Sequence, residues 1–218
     1  MFDFLTELGL PEEAVSFFFT FFIGAIAVSA VIGIAIYLLE SISVYKMAKS
    51  AEIKNPWLAF IPVANDWVFG TLAEKYKKKN GTKSARFGII LPVLEGIVLI
   101  ETIALTIFTV ISVKEITGYA LDAVNTSAEM APEQFMSLIP VIILYFALMA
   151  VAIAYAVVFF IALWRVYYSF DKSNATLYIV LSIIFTISVP IILFIIRNRK
   201  PEFDPHNNTP YFSGTFQG

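Results

Sequence analysis

The chain has no cysteine and a single histidine in 218 residues. Without cysteine there is no disulfide, no thiolate metal centre and no cysteine nucleophile, while the redox compartment stays open. The histidine, His206, lies in the polar run DPHNN and reads as solvated. H-E-x-x-H, G-x-S-x-G and phosphate-binding glycine loops are all missing. Charge is scarce too: Asp, Glu, Lys and Arg make up 15% of the chain, against about 25% in an ordinary globular domain. No long apolar stretch carries a histidine or a basic residue, which removes the usual acid–base partners for hydrolysis inside a membrane. These absences predict a non-enzymatic protein with no catalytic residue, no cofactor, no bound metal and no nucleic-acid partner.

What fills the chain is apolar. Hydrophobic residues make up 59% of it, and the mean hydropathy is +0.80. Residues 17–39 and 138–164 carry no charge, and residues 87–113 are interrupted only by Glu95 and Glu101. A helix needs about 20 residues to cross the hydrocarbon of a bilayer, so all three stretches qualify. They predict an all-α integral membrane protein, a bundle of three transmembrane helices in one domain over residues 1–200. The remaining 201–218, with Pro201, Pro205 and Pro210, read as a loosely ordered polar tail. Residues 1–16 contain Asp3, Glu7, Glu12 and Glu13 but no Lys or Arg. The basic start of a secretory signal is therefore absent, and the first span reads as a retained helix.

Basic residues set the expected orientation, because short loops rich in Lys and Arg stay cytoplasmic. Between the first two spans lie Lys46, Lys49, Lys54, Lys75, Lys77, Lys78, Lys79, Lys83 and Arg86. Between the second and third, Lys114 stands alone against Glu115, Asp122, Glu129 and Glu133. This predicts a multi-pass protein of the bacterial cytoplasmic membrane with its N-terminus outside. The lysines of residues 75–86 could also meet anionic lipid headgroups. Residues 56–73 are apolar but hold Asn65 and Asp66, and crossing there would export the lysine cluster. The segment is expected either to dip into the cytoplasmic leaflet and return at Pro62, or to lie along the surface. Asn65 and Asp66 would cap the helix that follows, and Trp57 and Trp67 would sit at headgroup level.

Shifting the chain over itself by 119 residues aligns Tyr45 with Trp164, Lys46 with Arg165, Ser50 with Ser169, Glu52 with Asp171 and Asn55 with Asn174. The alignment suggests an internal repeat, with halves at 17–73 and 138–196. It bears on residues 177–196, which are uncharged and either cross as a fourth span or turn back at Pro190. If they turn back, Lys114 is the only one of the 15 Lys and Arg residues left outside.

Trp57, Ile61, Pro62 and Asn65 form a W-x-x-x-I-P-x-x-N motif after a span and a Lys-rich link. In this the chain resembles a domain of uncharacterised small multi-span bacterial membrane proteins, some of which sit beside signal peptidase I modules. The resemblance implies architecture rather than activity. Val63 and Ala64 stand where that domain usually has Ile and Tyr.

Glu95 and Glu101 are the sharpest candidates for a polar site, because an ionisable group inside a span costs about 2.5–3.5 kcal/mol or more. They lie about 12 Å and about 21 Å along a helix that starts at Phe87, and point about 120° apart. Tyr155 and Ser29 fall at about the depth of Glu95. With no cation in any span, Glu95 is expected to be neutral and to hydrogen-bond to Tyr155. Glu40 reads as a boundary residue. Small residues every fourth position, Ala25, Ser29 and Gly33, and Ala150 and Ala154, mark close helix contacts within the bundle or with a partner subunit or second copy. Two functions follow as expectations. One is an accessory, assembly or regulatory subunit acting through lateral helix association. The other is a small oligomeric transporter or ion pathway using Glu95 and Glu101.

Overall fold

A computed structural model describes residues 11–76, 86–126, 135–136 and 138–201. The lysine cluster of residues 77–85 and the tail after Pro201, His206 included, lie outside the described residues. In chain order the elements are α1 (Glu12–Ser50), a 3-10 helix (Pro56–Phe60), α2 (Ala64–Glu74), α3 (Phe87–Thr126), α4 (Ile139–Phe170), α5 (Ala175–Ile184) and α6 (Ser188–Ile196). No strand occurs among the described residues. Three helical stretches, Ser16–Ser50, Phe87–Tyr119 and Ile139–Phe170, are long and apolar enough to cross a membrane.

The expected spans sit where the long helices are, but the helices run further. At about 1.5 Å per residue, α1 and α3 reach nearly twice the roughly 30 Å of bilayer hydrocarbon. No proline interrupts residues 40–50 or 114–126, so the helices continue. Residues 114–126, expected to be loop, form the last turns of α3.

The end of α1 explains the first chain reversal. Ile53 N–H bonds Ala48 O at 2.9 Å and Glu52 N–H bonds Lys49 O at 3.2 Å, the paired bonds of a Schellman cap. Glu52 holds the left-handed position at φ 53, where glycine is usual, and the following Ile53 is buried. Asn55 is left-handed as well, a conformation its short side chain tolerates, and Pro56 opens the 3-10 helix.

The core gathers at the end of the bundle where α1 and α4 finish and α3 begins, here termed the basic end. Met47, Phe69, Leu91, Leu163, Tyr167 and Leu193 are buried there. α2 packs on α3, α4, α1 and the 3-10 helix, whereas α1 leans on α6 and the 3-10 helix rather than on α3 or α4. Two glycines set the α2–α3 crossing. A Cβ on Gly70 would run into the Phe87 carbonyl, and one on Gly88 would lie 2.7 Å from the Thr71 hydroxyl. Glu74 then accepts the Gly88 N–H at 2.8 Å, satisfying an orphan amide at the start of α3 with a negative charge.

After α4 the chain forms a second helical hairpin. α5 and α6 are separated at Phe185–Ile187, three residues before Pro190. Pro190 lies in the first turn of α6, where its missing N–H costs no helical bond. The hairpin's two feet meet, with Arg199 Nη1 2.6 Å from Asp171 Oδ2, and Lys46 Nζ of α1 lies 3.4 Å from Asn198 Oδ1 after α6. So α1 and α4 are each followed by a broken helical pair. Their linking asparagines differ, Asn55 being left-handed at φ 58 and Asn174 sitting at φ −108.

Candidate functional site

Glu40, Asp66, Glu95 and Tyr155 come from α1, α2, α3 and α4 respectively, and converge beside the turn that starts α2. The Tyr155 hydroxyl makes a side-chain hydrogen bond with the Asp66 carboxyl. Glu95 accepts a hydrogen bond from the Val63 backbone. Glu40 interacts electrostatically with Asp66 and Glu95, and Tyr37, one turn earlier on α1, with Glu40 and Glu95. Among the described residues, no Lys or Arg acts on Glu40, Asp66 or Glu95.

The turn is strained. Val63 has φ 62 and ψ −46, and the Ala64 N–H reaches back to Pro62 O at 2.6 Å. This is a γ-turn of the rare positive-φ kind, on a β-branched residue that strongly disfavours it. Pro62 has no N–H to lose, and the Val63 N–H is the donor that Glu95 takes up. Asn65 and Asp66 therefore do not cap α2. The N-cap is Val63, without a side-chain cap bond, and both polar residues lie inside the helix, buried.

Around this centre several polar atoms have no partner. Among the described residues they are Asn65 Oδ1, Asp66 Oδ2 and Glu95 Oε2, with Tyr37 and Ser41 side by side on α1. Aromatic packing fixes the tyrosine: Phe159, one turn along α4, stacks on Tyr155 at 5.9 Å and on Phe69 of α2 at 5.3 Å.

The predicted polar residues separate. Glu95 and Tyr155 share the cluster, although the Tyr155 bond goes to Asp66 instead of Glu95. Glu101 stands apart on α3, half-buried, with Oε2 unpartnered. Ser29 is exposed on α1 and does not reach the site. Ala25 and Gly33 are exposed with it, and a Cβ on Gly33 would meet nothing within 4 Å. Ala150 and Ala154 also face outward, while Ala152 and Ala156 are half-buried. In the motif, Trp57 and Ile61 are exposed, Asn65 is buried, and Pro62 precedes the strained Val63.

Sequence reading missed Glu40 and Asp66 as site residues. A usable signal was present on α1, where Tyr37, Glu40 and Ser41 recur at helical spacing on one face.

A second polar centre lies at the basic end and is fully satisfied. Asp171 is 3% exposed and accepts bonds from Ser173 (2.9 Å), Asn174 (3.1 Å), Tyr178 (2.9 Å) and Arg199. Burial alone would raise its pKa. The hydrogen bonds of Asn174, Ser173 and Tyr178, with the Arg199 charge, outweigh that and hold the carboxyl below its ordinary value.

No family model matches the chain, and no curated protein or solved structure is detectably similar to it.

Proposed function

We propose that the chain is a non-enzymatic membrane protein whose working site is the cluster of Glu40, Asp66, Glu95 and Tyr155, serving a small ion pathway built from several copies. One observation carries this reading. Acidic groups from three helices and a tyrosine from a fourth meet, and among the described residues no basic one acts on the acids. Such groups are costly at membrane depth and are by default functional. In this reading the basic end faces the cytoplasm of a bacterial cell and the N-terminus lies outside. Residues 56–73 and 177–196 are re-entrant hairpins, the two halves of a repeat. The meeting of Asp171 and Arg199 at the feet of the second hairpin supports a return. The lipid bilayer is the immediate partner, with anionic headgroups near residues 75–86. The test is ion flux in proteoliposomes: wild type is expected to conduct and Glu95→Gln to lose flux while remaining folded. Wild-type vesicles as tight as empty ones refute the pathway.

A second reading, an accessory subunit acting through lateral association, is favoured by α1. Its stripe Ala25, Ser29 and Gly33 is exposed among the described residues, and small residues let backbones approach closely in lipid. Cysteine crosslinks through Ser29→Cys in native membranes separate the cases. A product of twice the chain mass supports an oligomer of this chain, and a different mass supports a foreign subunit.

A further inference from the structure

The carboxyl cluster, with Asp66 buried and Glu40 and Glu95 half-buried, lacks among the described residues the cations that three charges there would need. Among the described residues, the titratable groups facing Glu40, Asp66 and Glu95 are one another, Tyr37 on α1, and Tyr155 and Tyr167 on α4. No described set of three or more acidic, histidine or cysteine residues is arranged to hold a metal ion. A carboxylate taken out of water with no paired cation neutralises by binding a proton. A separate observation concerns a neighbouring side chain that is not an acid. Asn65 is 8% exposed, and its Oδ1 has no partner among the described residues. Ser41 lies beside Tyr37, which is within electrostatic reach of Glu40 and Glu95. Asp66 Oδ2 and Glu95 Oε2 are buried without a donor, so an O–H formed on either turns an idle acceptor into a donor among open acceptors.

We propose that Glu40, Asp66 and Glu95 form a proton-binding site that holds at most one negative charge among the three, with Tyr155 as the positioning residue for Asp66. It rests on the reading of this cluster as the working site, and names its ligand. Each uptake converts a carboxylate to a carboxyl and a hydronium ion to water. The strained Val63 turn ties the site to backbone geometry, because the carboxyl that takes the proton also accepts the Val63 N–H.

The test is the infrared absorption of protonated carboxyl groups in the full-length chain in detergent. It is followed from about pH 5, where exposed carboxyls are already ionised, to about pH 9. Wild type is expected to keep this signal at neutral pH, and Glu40→Gln, Asp66→Asn and Glu95→Gln each to lose a part of it. Tyr155→Phe should shift the pH at which the signal disappears, which a purely packing role would not do. If the acid variants fail to fold, Tyr155→Phe and a sodium titration of wild type carry the test. Folded wild type without the signal at neutral pH overturns the proposal, as does a signal that falls when sodium is added at constant pH. A proton signal without flux leaves this site standing and removes the ion pathway. Flux without the signal does the reverse.

Discussion

Arg199 and Asp171 form an ion pair of 2.6 Å that closes the hairpin of α5 and α6 at its foot. The two partners are unequal: Arg199 is 47% exposed and Asp171 2% by side chain. The guanidinium is half in solvent, and Ser173, Asn174 and Tyr178 still hold the carboxylate without it, so Arg199→Ala is expected to cost about 1 kcal/mol. Asp171→Ala strands the donors of Ser173, Asn174 and Tyr178 as well, and should cost about 2–3 kcal/mol. Because its folded-state pKa lies below the unfolded value, Asp171 adds stability that is present above about pH 4 and fades as pH falls through the folded value. Melting of the chain in detergent should therefore lose part of its acid sensitivity in Asp171→Ala. Equal acid sensitivity in variant and wild type contradicts this.

Gly70 and Gly33 make opposite predictions from the same residue type. Gly70→Ala drives a Cβ into the Phe87 carbonyl, which is backbone and cannot step aside, so α2 must shift off α3. A loss of about 1–3 kcal/mol is expected, in the range of overpacked core sites. A Cβ on Gly33 meets nothing among the described residues, so Gly33→Leu should leave the melting of the detergent-solubilised monomer unchanged. Thermal melts of both variants check the contrast, and equal losses would refute it.

The long helices were legible because apolar runs of sufficient length have few alternatives, and their ends were not because nothing in residues 40–50 or 114–126 breaks a helix. Counting residues put Glu95 and Tyr155 at one depth, and the two interact electrostatically while the Tyr155 bond goes to Asp66. Glu40 and Asp66 escaped because each has an ordinary local role, boundary residue and helix cap, that only tertiary packing cancels. The four-residue spacing of Ala25, Ser29 and Gly33 could not reveal which helix faces them, and among the described residues none does. The close glycine contact instead joins Gly70 and Gly88, from segments whose pairing no periodicity announces.

Topology follows from the position of the two hairpins. If both return to the basic end, single cysteines at Lys49 and Lys200 should react with an impermeant thiol reagent from the same side, and one at Lys114 from the opposite side. Labelling of intact cells and of inverted vesicles reads this directly. Lys200 reacting with Lys114 instead of Lys49 would make residues 177–196 a fourth crossing.

Val63 and Glu95 should be energetically coupled. At φ 62 and ψ −46 a β-branched residue stores strain of about 1–3 kcal/mol. Glycine removes that strain at an entropic cost of about 0.5–1 kcal/mol, so Val63→Gly is expected to be neutral or stabilising. Glu95→Gln keeps a carbonyl oxygen for the Val63 N–H and should change stability by less than about 1 kcal/mol. Glu95→Leu leaves that donor buried and unpaired, and should cost about 1–3 kcal/mol. In the double variant the glycine turn can rotate its N–H toward another acceptor, so the loss from Glu95→Leu should shrink. Denaturation of the four proteins in a common detergent gives the coupling. Losses that simply add, within about 0.5 kcal/mol, would mean that Glu95 does not hold the turn.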